Sequence, residues 1–278
     1  MSVAESVESG DPRGLEPPCE IDVAVLGPVE IRGAAQPFPR AAARELVVYL
    51  AFHRHGVRSD VWAAALWTDR RVAQSTLHST SSVARRSLGR SDSGVDHLPR
   101  RGRLLRLEPT VGTDVERFAR AAATPDPRRW VEALRLVRGR AFDGLGRCDW
   151  AVLDGTQAHV ESMVVDTALK AAAHYLRRGQ GEEAEWVIRR GLRVSPYDER
   201  LYRALLRAAG VMGNRVGLRT TMEELLRVAA DGDPLCRSAR PGTLGEPGHR
   251  FLHPQTVSLF RELARGAIPA PGGDPSRL

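Results

Sequence analysis

Hydrophobic and polar positions early in the chain alternate in a pattern that predicts short strands followed by helices. Two β-rich runs, Val23–Leu26 and Val29–Arg32, flank Gly27-Pro28, a dipeptide typical of a turn between strands. Three helices follow, each with apolar residues at helical spacing: one from Arg40 to His53, one that starts after Ser59 and closes near Trp67, and one from Val72 to Leu88. The hydroxyl of Ser59 suits the N-cap of the second helix.

An arginine-rich segment over residues 97–107 has strand character on each side of Arg101-Gly102, which predicts a hairpin. The order is therefore a small sheet, three helices and a hairpin. That order is the plan of a winged helix-turn-helix, in which the last helix enters the major groove and the hairpin, or wing, lies along the phosphates.

The pattern changes after residue 110 to helix after helix, separated by short turns. Asp114 is expected to cap the first helix, and a long helix is expected from about Trp150 to Arg178. Short connections indicate antiparallel neighbours, and Pro196 and Pro234 close successive units of 38 residues, close to the ~34 of a tetratricopeptide repeat. Such a stack offers a concave surface for a partner or for self-association. A plain helical domain that packs onto the preceding half is the alternative.

The predicted fold class is mainly α: an N-terminal winged helix over residues 21–110 and an all-α, tetratricopeptide-like domain over residues 111–266. Residues 1–20 and 267–278 are expected to be disordered tails, because they contain little that could join a hydrophobic core.

Charge is concentrated in one part of this plan. The whole chain carries a formal charge of +7, while residues 40–106 hold 13 basic and 5 acidic side chains. A basic domain of this kind suits a polyanion, with double-stranded DNA first among the candidates. The alternative is a solvated, arginine-rich surface.

Candidate DNA contacts follow from the face of the third helix opposite Leu77 and from the arginines around it. Small hydroxyls and arginines can approach DNA closely, although an ordinary solvated helix face has the same composition. The candidates are Arg70, Arg71, Ser75, His78, Ser79, Ser82, Arg85, Arg86, Arg100, Arg101 and Arg103.

Candidate catalytic chemistry is sparse, and we predict that the chain is not an enzyme. Lys170 is the only lysine and no glycine-rich phosphate loop precedes it, which removes several nucleotide-dependent and Schiff-base mechanisms. Three cysteines without a CxxC pair and the lack of HExxH predict neither a disulfide framework nor a metal site, and no cofactor is expected. No apolar run reaches the length of a membrane span and the first residues lack a signal peptide, so no membrane partner and a cytoplasmic location are expected.

Two groups of segments carry a resemblance to a known family. The first group is LGPVEIRG at Leu26–Gly33, ARELVVYLAFHRHGV at Ala43–Val57, ALW at Ala65–Trp67, STLHSTSSVARRSLG at Ser75–Gly89 and HLPRRGRLLRL at His97–Leu107. The second group is VGTDVERF at Val111–Phe118, SPYDERLYRALLRAAG at Ser195–Gly210 and LHPQTVSLFREL at Leu252–Leu263. The first group resembles the winged helix of the actinobacterial antibiotic-regulatory-type (SARP-like) activators, and the second resembles their helical module, the bacterial transcriptional activator domain.

The resemblance implies a cytoplasmic DNA-binding transcriptional regulator, an activator by family habit, that binds direct repeats as a homodimer and contacts RNA polymerase. One position departs from the family: Val83 stands where the third helix commonly has an arginine. This departure supports a second hypothesis, a protein-interaction module whose degenerate winged helix no longer binds DNA.

Overall fold

A computed structural model describes residues 19–100, 104–146, 149–232 and 252–266. The chain divides into two compact units, one of Met1–Val23 with Ile31–Gly112 and one of Ala24–Glu30 with Thr113–Leu278. The architecture is mainly helical, with a small N-terminal sheet followed by helices. The predicted fold class, a winged helix followed by an all-α domain, is confirmed.

The first unit contains the predicted strand pair and three helices. Strands β1, β2 and β5 form a sheet in the order β2-β1-β5, and β3 pairs with β4 in a second sheet. The elements are β1 (Ile21–Ala24), β2 (Glu30–Arg32), α1 (Ala41–Phe52), β3 (Val57–Arg58), α2 (Ser59–Leu66), α3 (Gln74–Leu88), β4 (Leu104–Leu105) and β5 (Val111–Thr113). The Ser59 cap prediction is wrong, because Ser59 is the first helical residue and no side chain caps α2.

The predicted pairing of the arginine-rich hairpin is wrong, because β4 pairs with β3. This strand pairs antiparallel with β3, which places Val57 opposite Leu105 and Arg58 opposite Leu104. Residues 97–100 form no strand, and residues 101–103 lie outside the described chain. Gly56 has a φ of +85° and a Cβ there would lie 3.2 Å from the Leu105 carbonyl oxygen, so the close approach of the chain to β4 favours glycine.

Helix α3 packs onto the first unit through small side chains. Its buried residues include Leu77, Ala84 and Leu88 together with Thr80 and Ser87. The Ser87 hydroxyl donates a hydrogen bond of 3.1 Å to the Pro37 carbonyl oxygen, which satisfies a polar group that would otherwise be costly to bury. The helix ends where predicted, at Gly89, whose φ of +80° favours a residue without a Cβ.

The second unit is a series of helices, as predicted. Its helices are α4 (Asp114–Ala123), α5 (Pro127–Arg135), α6 (Asp149–Leu153), α7 (Thr156–Arg177), α8 (Gly181–Val194), α9 (Glu199–Val211), α10 (Arg215–Gly232) and α11 (Pro254–Ala264). The long helix predicted from Trp150 to Arg178 is wrong. Gly155 adopts a left-handed φ of +80° between α6 and α7, and Asp154 accepts a 2.9 Å hydrogen bond from the Thr156 N–H at the new helix start.

Neighbouring helices of this unit pack closely where the sequence has small residues. Helices α7, α8, α9 and α10 pack in sequence order, and α11 returns onto α9 and α10. A Cβ at Gly191 of α8 would lie 3.0 Å from the Leu201 side chain of α9, so glycine lets these two helices approach. Buried Leu201 and Ile188 belong to the core of the stack.

Asp114 is not the helix cap that the sequence predicts. Thr113 caps α4 instead, in a capping box with Glu116. Asp114 is 2% exposed, and its two carboxylate oxygens accept hydrogen bonds of 2.9 Å from the N–H groups of Val25 and Leu26. Because these donors belong to the Ala24–Glu30 segment, Asp114 fastens that segment to the helical unit.

Candidate nucleic-acid interface

A groove of about 970 Å³ runs beside α3 in the first unit. One wall is α3 itself, and the other is formed by β3, the start of α2 and the chain around β4. The lining residues are Arg58, Ser59, Asp60, Trp62, Gln74, Leu77, His78, Ser79, Ser81, Ser82, Arg85, Arg100, Leu104 and Leu105. Five of the residues predicted to contact DNA therefore meet in one place: His78, Ser79, Ser82, Arg85 and Arg100.

The polar face of α3 lies where the helical spacing predicts it. Ser75 and Arg86 are exposed, and Leu77 is buried. His78 is exposed and its Nε2 lies 3.3 Å from the Gln74 side-chain amide, one turn earlier. The exposed face thus offers hydroxyl, imidazole and guanidinium groups, which can bind phosphates and base edges.

Arg85 connects α3 to the chain before β4. Its Nε donates a 2.7 Å hydrogen bond to the Leu98 carbonyl oxygen. Partial burial lowers the pKa of the Arg85 guanidinium, and the nearby positive charge of Arg100 lowers it further, while Asp96 opposes both. Arginine still stays charged at neutral pH, so two mutually repelling cations lie on this groove, an arrangement that an anion would stabilise.

The remaining predicted arginines are distributed differently. Arg70 and Arg71 lie in the exposed connection between α2 and α3, and they are not part of the groove lining. Arg101 and Arg103 lie outside the described residues; in the sequence they fall between Arg100 and Leu104, which line the groove. Arg86 is exposed on α3 and also outside the lining.

Two further arginines at this site were missed by the sequence prediction. Arg58 lines the groove and forms an exposed 3.0 Å ion pair with Asp60, which lowers the pKa of the Asp60 carboxyl. Arg40 donates a 2.6 Å hydrogen bond to the Ser79 hydroxyl. Both lie far from α3 in sequence, so only the β3–β4 pairing and the packing of α1 against α3 bring them to this face. The charge of residues 40–106 was the one signal that included them.

No helix among the described residues has both the length and the apolar composition of a membrane span. No group of three or more histidine, cysteine or acidic side chains that could hold a metal ion occurs in the same part of the chain.

Comparison with solved structures finds a similarity in fold. No protein-family model matches the chain, and no curated protein matches it in sequence. A structure of EmbR from Mycobacterium tuberculosis, in complex with a low-affinity phosphopeptide, is similar with a TM-score of 0.58 and 23% sequence identity. The similarity covers 88% of this chain and 65% of that one, so this chain spans about two thirds of the solved chain. At this identity the likeness shows the fold alone.

Proposed function

We propose that this protein is a DNA-binding transcriptional regulator. In this proposal residues 21–110 form the DNA-binding domain, with α3 in the major groove and residues 97–107 along the phosphates. Residues 111–266 form the effector domain, which mediates homodimerisation or contact with RNA polymerase. Activation of transcription, rather than repression, is the expected direction, because of the family resemblance of the sequence.

The observation that carries the proposal is the groove beside α3. Three arginines from separate parts of the chain, Arg58, Arg85 and Arg100, line the same groove as the polar face of α3. Arg85 and Arg100 repel each other there. A phosphate backbone relieves that repulsion and releases its own counterions, which is the main source of affinity in protein–DNA binding.

The test is a salt titration of binding to DNA from the protein's own promoter region. Replacing the groove residues Arg58 and Arg100 by alanine is expected to weaken binding strongly at moderate salt and to reduce the slope of log K against log salt by about 2, one for each lost phosphate contact. Arg219 and Arg227 of α10 are exposed in the helical unit. The Arg219→Ala/Arg227→Ala variant therefore serves as a control with the same change in charge. Equal slopes for both variants would reject the placement of the interface.

A second function, a protein-interaction module without DNA binding, is favoured by two observations at the same site. Position 83 of α3 is a valine, where the family that the sequence resembles commonly has an arginine. Arg58 and Arg85 already have partners, the Asp60 carboxylate and the Leu98 carbonyl. This function predicts a flat DNA titration at all salt concentrations while purified RNA polymerase still binds the chain. Salt-dependent DNA binding by the wild type contradicts it.

A further inference from the structure

A row of arginines occupies one side of α9 in the helical unit. Arg200, Arg203 and Arg207 follow one another at spacings of three and four residues, so they lie one above the other on that side. Val211, one turn further, is 39% exposed. Arg203 and Arg207 are half-buried, and the other sides of α9 are buried against neighbouring helices through leucines, alanines and Tyr202.

The first arginine of the row is neutralised within the chain. The Arg200 guanidinium donates to the Asp198 carboxylate at 2.8 Å and lies 3.5 Å from a carboxylate oxygen of Asp166. Its positive charge is therefore compensated by two acids, and it has little need of an external partner.

The next arginine has a neutral partner. Arg203 Nη1 donates a 3.3 Å hydrogen bond to the Thr256 hydroxyl of α11. The same Thr256 hydroxyl donates a 2.6 Å hydrogen bond to the Glu199 carboxylate, which also accepts from the His253 N–H at 3.1 Å. Thr256 thus links Arg203 to an acid without a direct ion pair.

The third arginine, Arg207, is incompletely satisfied. Its Nη1 is buried and has no hydrogen-bond acceptor among the described residues. Burial lowers the pKa of the Arg207 guanidinium, and the positive charge of Arg203 lowers it further. A desolvated cation beside a second cation costs stability, and a group kept in that state suggests a function.

We propose that Arg203 and Arg207 bind a carboxylate side chain from an acidic peptide segment of a partner protein. The two guanidinium-bearing residues are one turn apart, about 6 Å along the helix, a spacing that one carboxylate can bridge. Exposed Val211 lies beyond Arg207 and gives an apolar residue of the same peptide a surface to contact. This inference does not depend on DNA binding by the first unit.

The acids around the row favour a peptide over a nucleic acid. Asp166, with a side chain 67% exposed, and Asp198 lie at the Arg200 end. They repel an extended polyanion, whereas a single carboxylate with an apolar neighbour needs to contact only Arg203 and Arg207.

The test uses a fluorescent 12-residue peptide with glutamate at every fourth position and leucine beside it, measured by anisotropy with the full chain. The Arg203→Gln/Arg207→Gln variant is expected to bind it about tenfold more weakly, while Arg219→Gln/Arg227→Gln on α10 retains wild-type affinity. A matching peptide with glutamine in place of glutamate is the ligand control. The proposal is overturned by any of three results. The wild type binds the two peptides equally well, both variants lose the same amount of peptide affinity, or random-sequence DNA displaces the peptide.

A stability measurement separates binding from a structural role. Arg207→Met keeps the apolar stem of the side chain and removes the desolvated charge, so the melting temperature is expected to rise by about 2 °C while peptide binding falls. A fall in melting temperature would make Arg207 a structural residue and overturn the proposal. DNA binding by this variant stays at the wild-type level, so its outcome is independent of the proposed interface.

Discussion

Helices α3 and α9 have similar lengths but are stabilised in different ways. Helix α9 buries leucines, alanines and Tyr202, and the Asp198 carboxylate caps its first turn by accepting from the Arg200 N–H at 2.9 Å. Helix α3 buries only three apolar residues, along with Thr80 and Ser87, and its N-cap residue Ala73 has no side chain that could accept a hydrogen bond.

The difference follows from what each helix exposes. A helix with a wide apolar face, such as α9, is stabilised mainly by packing and depends little on the residues of its polar side for stability. Helix α3 has a narrow apolar stripe and so depends on polar anchors, Ser87 to Pro37 and Arg85 to Leu98. The remaining surface of α3 is therefore polar along almost its whole length, which suits the proposed contact with DNA.

The largest loss of stability is expected from a substitution in α9, the helix with the wider apolar face. Leu201 of α9 is fully buried and contacts Gly191 of α8. Leu201→Ala is expected to lower the free energy of unfolding by about 3 kcal/mol, because it removes buried methyl groups and leaves a cavity in a rigid stack. Urea denaturation followed by circular dichroism measures this. A loss below about 1 kcal/mol would show that the stack rearranges to fill the space.

Substitution of Asp114, a buried hydrogen-bond acceptor in the helical unit, is expected to cause the next largest loss of stability. Asp114→Ala leaves the N–H groups of Val25 and Leu26 without their acceptor, and is expected to cost about 2 to 3 kcal/mol. Asp114→Asn retains one carbonyl oxygen and is expected to lose less. The same urea titration compares the two variants, and equal losses would argue against the hydrogen bonds as the cause.

Features of this structure that neighbouring residues determine can be predicted from the sequence, whereas features that depend on contacts between distant residues cannot. The helix ends predicted at Leu88 and Arg178 lie directly before Gly89 and Gly179, and α3 and α7 end there within one residue, because glycine with a positive φ ends a helix through local geometry. The break at Gly155 was missed because apolar residues continue on both sides of it. The pairing of β3 with β4 and the double hydrogen bond to Asp114 join residues that are about 45 and 90 positions apart, and no spacing rule contains that information.

The candidate site shows the same limit. The polar face of α3 follows from helical periodicity, so Ser75, His78 and Arg86 were predicted to be exposed, and they are. Arg58 reaches the groove through a strand pairing and Arg40 through the packing of α1 on α3. The partner of Arg85 is a backbone carbonyl, a group that every residue has and that a sequence pattern does not distinguish.

A smaller effect is expected at the polar anchor of α3. Ser87→Ala removes the hydrogen bond to the Pro37 carbonyl and is expected to cost about 1 kcal/mol of unfolding free energy. Ser82→Ala on the same helix is the control, since Ser82 is only partly buried and lines the groove. It should change stability by less than about 0.5 kcal/mol and change DNA binding more than Ser87→Ala does. If Ser82→Ala lost more stability than Ser87→Ala and changed DNA binding less, Ser82 rather than Ser87 would be the residue that holds α3 in place.

The smallest effect is a gain at the N-terminus of α3. Ala73 is exposed and has an extended backbone, with φ −66° and ψ 150°, which suits an N-cap residue. In Ala73→Ser the new hydroxyl can accept from the backbone N–H of Ser75 or Thr76, and is expected to stabilise the first unit by about 0.5 kcal/mol. Asp198→Ala at the start of α9 is the matched reverse change, with an expected loss of about 1 kcal/mol. Thermal unfolding compares both with wild type. If Ala73→Ser gains nothing while Asp198→Ala loses as expected, the first turn of α3 is already held by its surroundings, and the contrast between the two helices lies in their buried faces alone.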